Sequence, residues 1–271
     1  MRAFQVVLAL ASLTACATHA PAVTSSSSPP LVLPAAAPPP SPVSSAEGVQ
    51  SVRSRADGWR LAHRIVDLHM HVDATPEHLA QAVRIMDTAG IGVAVNLSGG
   101  TVTRANGRPS DLAATKALAD ERFPGRFVEY MNLDYADWDK PDFAQRAVAQ
   151  VDEGAREGAA GFKEFKRLGL FLRDARRQLI KIDDPKLDPM WRRLGELGMP
   201  VSIHVADPKA FWGPYDATNE RWHELKDHPR WWFGDPKQYP RREELLAALE
   251  RVIGRHPETT FVCVHFANNA E

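Results

Sequence analysis

Only two cysteines occur in 271 residues, Cys16 and Cys263, which excludes a disulfide-stapled scaffold or a cysteine-rich zinc module. Long apolar runs are missing as well. The main one, Ala3 to Ala15, falls short of the roughly 20 residues that a membrane-spanning helix needs. Charge of either sign is not in excess, since 33 Lys and Arg face 34 Asp and Glu. A net charge of −1 gives no electrostatic case for a nucleic-acid partner or an anionic lipid surface, so the expected partner is a small molecule. No Gly-x-Gly-x-x-Gly turn follows the first predicted strand, which argues against a dinucleotide-binding sheet.

The first 46 residues carry one charged side chain, Arg2, followed by the short apolar run and then Leu13-Thr14-Ala15-Cys16. The run has the length and one-sided charge of a secretory signal. The four residues that close it resemble the lipobox of bacterial lipoproteins. That resemblance implies a signal peptide over 1–16, lipidation at Cys16, export, and a lipid anchor. With Ala17 and not Asp after the cysteine, it implies the outer membrane, facing the periplasm. Residues 17–46 hold Ser25 to Ser28, Pro29-Pro30 and Pro38-Pro39-Pro40. They show no apolar periodicity and read as a disordered tether, reaching up to roughly 90 Å at ~3.1 Å per residue.

From 47 to 271 the pattern is strand, helix, strand, helix. Ile65-Val66-Asp67-Leu68-His69-Met70-His71 predicts a buried strand. Thr75-Pro76 caps the next helix, Leu79, Ala82, Val83 and Met86 mark its inner face, and Gly90 ends it. Strands are predicted over 91–97, 126–133, 160–166, 199–206 and 259–266, with helices opening at Ser110, Phe143, Asp188 and ahead of Leu245. This alternation predicts parallel βα units. Polar residues collect at the C-terminal ends of the strands: His69 and His71, Asn96 with Ser98, Lys163, His204 and His265. A (β/α)8 TIM-type barrel draws its active site from that face, so an α/β barrel with about six of its eight βα units is expected. His69 and His71 share a strand face by the two-residue period, close enough for both imidazoles to reach one ion at about 2.0–2.1 Å.

The histidine pattern resembles the metal-dependent amidohydrolase superfamily, in its amidohydrolase-related branch of TIM-barrel hydrolases and decarboxylases. The resemblance covers about 60 to 271. Beyond the histidines it is carried by Gly161-Phe162-Lys163-Glu164-Phe165-Lys166 with Leu168-Gly169-Leu170, and by Ile182-Asp183-Asp184-Pro185. His204-Val205-Ala206-Asp207-Pro208 and His265 with Asn268-Asn269 complete it. It implies that His69 and His71 ligate a divalent metal, zinc first with manganese or iron as alternatives. His204 and His265 would hold a second ion, or complete a one-ion site and orient substrate. Lys163 is implied either as a carbamylated bridge between ions or as the cation that receives a substrate carboxylate. Gly161, Lys163 and Phe165 share a face, whereas Glu164 and Lys166 point away if the alternation holds. The implied chemistry is hydrolysis of an amide, lactone or other ester of a small carboxylate-bearing molecule, through water activated at the metal. Non-oxidative decarboxylation is its neighbour in the family, and a non-catalytic metal- or ligand-binding lipoprotein is the alternative from another class.

An aromatic insertion at 207–240, with Phe211, Trp212, Trp231 and Trp232, predicts a folded lid and substrate wall. His63, His78, His223, His228 and His256 are expected at the surface. The general base of the family, an Asp ending strand eight, has no counterpart among the six predicted strands, so it is expected beyond Glu271, this chain by itself is expected to have little or no activity, and strands one and six are expected to be open edges. Nothing in the sequence fixes an oligomeric state.

Overall fold

The computed structural model describes residues 46–105 and 107–268. Cys16 and its apolar run, the tether up to residue 45, and Asn269 therefore lie outside the described residues.

Six parallel strands form one sheet in chain order: β1 (Ile65–Met70), β2 (Ile91–Asn96), β3 (Phe127–Met131), β4 (Gly161–Glu164), β5 (Val201–Ile203) and β6 (Phe261–Cys263). Helix α1 (Ala46–Leu61) precedes β1. Then α2 (Pro76–Ala89), α3 (Asp111–Arg122), α4 (Phe143–Arg156) and α5 (Asp188–Glu196) connect successive strands, and α6 (Trp222–Leu225) and α7 (Arg242–Arg255) lie between β5 and β6. The result is a curled α/β sheet with the arrangement of an incomplete (β/α)8 barrel, as predicted.

The helices start and stop where local chemistry requires. Thr75 accepts a hydrogen bond from the His78 amide, Pro76 opens α2, and Gly90 closes it at φ 77°. A side chain at Gly90 would meet the Arg60 carbonyl, so glycine satisfies both the left-handed backbone and the close approach. Leu79, Val83 and Met86 of α2 are buried against Ala94 of β2, Ala119 of α3 and Phe127 of β3. The main core lies where α4, α5 and α7 cover β3, β4 and β5, with Phe143, Trp191 and Phe162 fully buried in it. Burial of each such side chain contributes roughly 1.5–3 kcal/mol. On the concave face Tyr130 packs with Val95 and Leu97, and Gly161 leaves room for its ring.

Three predictions about elements need correction. The strands at 126–133, 160–166, 199–206 and 259–266 are shorter than expected, and the last ends at Cys263 before a 3₁₀ turn over Val264–Asn268. His265 and Phe266 in that turn have φ of 48° and 56°, in the left-handed region. Helix α1 was not expected. Its side chains from 51 to 61 are exposed, so it leaves no apolar stripe for the sequence to betray. His256 is not at the surface but 2% exposed, where it ends α7 and contacts Asp188 Oδ1 at 3.0 Å and Glu258 Oε1 at 3.2 Å.

Among the described residues β1 pairs only with β2, and β6 only with β5. Apolar side chains are exposed on both: Val66 at 54%, Leu68 at 63% and Val262 at 37%. Open, apolar edges of this kind are what natural sheets normally cover.

Candidate active site

The C-terminal ends of β1, β4, β5 and β6 bring four histidines and a lysine to one mouth. Because side chains alternate along β1, His69 and His71 emerge from the concave face, and their Nε2 atoms stand 3.2 Å apart. The His69 ring stacks on His265 with centroids 4.8 Å apart, and His265 meets the His204 ring edge at 4.7 Å. β1 and β6 are not hydrogen-bonded neighbours, so the ring contact measures how far the sheet has curled. Phe165 lies 5.6 Å from the His71 ring.

Second contacts fix these side chains. The His69 amide donates to Asp67 Oδ1 at 2.8 Å. His71 Nδ1 lies 2.8 Å from Ser98 Oγ, which positions the ring and directs Nε2 into the mouth. His204 Nε2 is 3.1 Å from the Ala206 carbonyl and 3.4 Å from Asp207 Oδ1. Lys163 is fully buried below the rings, and its Nζ has no hydrogen-bond partner among the described residues. Its Nζ lies 5.5 Å from the centroid of the Phe165 ring. As predicted, Gly161, Lys163 and Phe165 share the concave face while Glu164 points outward, where it accepts a 2.6 Å hydrogen bond from Tyr135.

Electrostatics keeps the imidazoles of His69 and His71 neutral. Burial, then the Lys163 charge, then the neighbouring histidines lower the pKa of His69 to about 4, and the first two causes lower that of His71. Burial brings Lys163 down to about 8, against the opposing pull of Glu164.

The profile of the Amidohydrolase family matches residues 66–270, which span all six strands. This chain belongs to that family. No curated protein gives a match. Among solved structures, this chain is similar to an amidohydrolase from Mycobacterium avium subsp. paratuberculosis K-10, at 20% identity and a TM-score of 0.40 over 69% of this chain and 47% of that one. The apo form of IDCase from Metarhizium anisopliae is 16% identical, with a TM-score of 0.40 over 68% and 45% of the two chains. A 2,6-dihydroxybenzoate decarboxylase complexed with 2,6-dihydroxybenzoate is 18% identical, with a TM-score of 0.42 over 72% and 65%. The chain spans about half the length of the first two.

The superfamily is generally metal-dependent, so the donor set can be tested against an ion. Two nitrogens bound tetrahedrally at about 2.0–2.1 Å sit roughly 3.3 Å apart, close to the His69–His71 spacing. Both imidazoles are neutral, as ligands must be. That pair fits a divalent ion. No group of three or more His, Cys, Asp or Glu among the described residues converges as a ready-made cage. His204 contacts its own loop, and His265, in the left-handed turn at the open edge, stacks its ring on His69.

Other predicted residues fall elsewhere. Asn96 is not at the mouth: it is buried, with Oδ1 accepting from the Val72 and Ser98 amides at 3.3 and 3.0 Å, and it braces the loop after β1. In the insertion, Phe211 is buried, Trp212 Nε1 donates to the Pro240 carbonyl and Trp232 Nε1 to that of Gly213. Trp231 alone of the four reaches toward the mouth, through Lys166, whose Nζ lies 5.5 Å from its ring. Lys166 pairs with buried Asp207. Burial raises the Asp207 pKa, but His204 and Lys166 outweigh it and hold the carboxyl below the usual range. Sequence reasoning set Lys166 aside by strand alternation, yet β4 ends at Glu164 and the alternation ends with it. The signal for Asp207 was present, three residues after His204 and before a proline.

Proposed function

We propose that this member of the Amidohydrolase family is a metal-dependent hydrolase that cleaves an amide, lactone or other ester of a small carboxylate-bearing molecule. The observation that carries the reading is the 3.2 Å approach of His69 and His71 Nε2 above a buried, unpartnered Lys163. His69 and His71 would hold the ion, with His204 and His265 completing its surroundings. A divalent ion there, zinc first and manganese or iron as alternatives, lowers the pKa of bound water and polarises the carbonyl under attack. Lys163 provides a desolvated cation for a substrate carboxylate, or, as a carbamate, a bridge between two ions. Ser98 holds the tautomer of His71, and Asp207 orients His204. Trp231 and the insertion behind it wall the mouth from water.

The reading includes further βα units closing the gap between β6 and β1, and with them the carboxylate that ferries the proton from water to leaving group. The exposed Val66, Leu68 and Val262 support it. In the protein carrying those closing units, a panel of lactones, aryl esters and N-acyl amino acids should reveal turnover that a chelator abolishes and added zinc, manganese or iron restores. Carbon dioxide release without hydrolysis would move the assignment to decarboxylation, and chelator-insensitive turnover would contradict it.

The location is proposed from the sequence alone. Acylation at Cys16 would place the protein in the membrane fraction, and Cys16→Ala should release it or block its processing. A soluble, unacylated wild type would contradict the anchor.

A further inference from the structure

Away from the histidines, a cavity of about 490 Å³ opens between the 169–182 segment, the turn at 236–240 and α7. It shares no lining residue with the histidine mouth, and its size is typical of a small-molecule site. Its floor is apolar: Ile182, Leu245 and Ala248 are each at least 95% buried. Gly169, at φ 84°, closes the bottom, and a side chain there would strike Leu245. Tyr239, flanked by Pro236 and Pro240, lines one wall.

The rim is cationic. Arg251 is neutralised by Asp183 at 2.8 Å, and the one acid of the lining, Glu244, by Arg241 at 2.8 Å. Three positive charges remain. Arg173 donates only to the carbonyls of Arg177 and Gln238, at 3.0 and 3.2 Å, so it ties two walls together without losing its charge to a carboxylate. Lys181 and Lys237 form no ion pair among the described residues, although Asp235 stands two residues from Lys237. An apolar floor beneath three cations that hold no ion pair among the described residues suits a ligand with a flat or acyl body and one anionic head.

We propose that this cleft is a second binding site, taking a small organic carboxylate whose apolar body lies on Ile182, Leu245 and Ala248 and whose carboxylate faces Arg173, Lys181 and Lys237. The site is independent of the chemistry assigned to the histidines.

The test titrates the full-length chain with 2-naphthoate, followed by calorimetry. The neutral 2-naphthol and inorganic phosphate serve as probes of body and charge alone. Saturable binding of 2-naphthoate is expected, with both other probes weaker by about tenfold or more, as loss of one charge-assisted contact would give. Lys181→Glu with Lys237→Glu should weaken 2-naphthoate by at least about tenfold, and Ala248→Leu should block it, while His69→Ala leaves it unchanged. The two lysines are exposed, so the charge-reversed protein should keep its melting temperature even if Ala248→Leu does not fold. Failure of 2-naphthoate to bind, unchanged affinity in the charge-reversed protein, or loss of binding in His69→Ala would each overturn the proposal.

Discussion

Lys163→Met is expected to melt higher than the wild type and to turn over at least about 100-fold more slowly, the size of effect seen when a charge facing the reacting group is removed. Methionine nearly conserves the volume of lysine and removes the ammonium. That ammonium is fully buried with no hydrogen-bond partner, and burial brings its pKa from 10.5 to about 8. Below pH 8 both folded and unfolded chains hold the proton, and the native state bears the whole cost of burying the charge. Between about 8 and 10.5 the native state releases the proton first, so stability should rise with pH across that window. The cost at neutral pH is about 3 kcal/mol, or roughly 6–12 °C in Tm for a domain of this size. Lys163→Met should recover that stability and lose the pH dependence. A variant that melts lower and keeps full activity would show that the amine is neither strained nor used.

Glu129→Gln is expected to stabilise the protein at pH 8 and to leave it nearly unchanged at pH 4.5. Glu129 lies on the outward face of β3 at 3% exposure, and neither carboxyl oxygen has a hydrogen-bond partner. Burial raises its pKa to about 7. The neighbouring Asn96 amide and Lys116 pull it down, weakly, since Asn96 already donates to the Val72 carbonyl and Lys116 is paired with Asp120. A raised carboxyl pKa means that the native state keeps its proton where the unfolded chain has lost it. Stability is therefore full below about 4.5 and falls as pH rises to about 7, by up to about 3 kcal/mol. Glutamine removes the ionisation and should flatten the profile. Thermal melts of both proteins from pH 4.5 to 8.5 check this, and parallel profiles would show that Glu129 finds a partner.

Much of the frame could be read from local chemistry. Thr75-Pro76 and Gly90 bound α2 because they satisfy amides and carbonyls that any helix leaves open. The two-residue period carried His69 and His71 to one face, and the recurrence of histidine after β5 and β6 carried the mouth. What was hidden depends on contacts remote in sequence. Asn96 sits at a strand end like a site residue but turns to brace Val72. Lys166 escapes the alternation because β4 stops two residues before it. His256 is buried because α7 ends against Asp188 of α5, a pairing no periodicity records. Helix α1 shows no buried face over its described side chains, 51 to 61, to announce it.

The central claim is that His69 and His71 hold a divalent ion. Metal content of the purified full-length chain, measured by plasma mass spectrometry, tests it most directly, with His69→Ala and His71→Ala compared against His228→Ala. His228 is exposed and stacked on Trp231, with centroids 4.1 Å apart, outside the cluster. Bound zinc, manganese or iron should fall sharply in the first two variants and stay at the wild-type level in the third. Equal metal in all four proteins, each folded, would contradict the assignment.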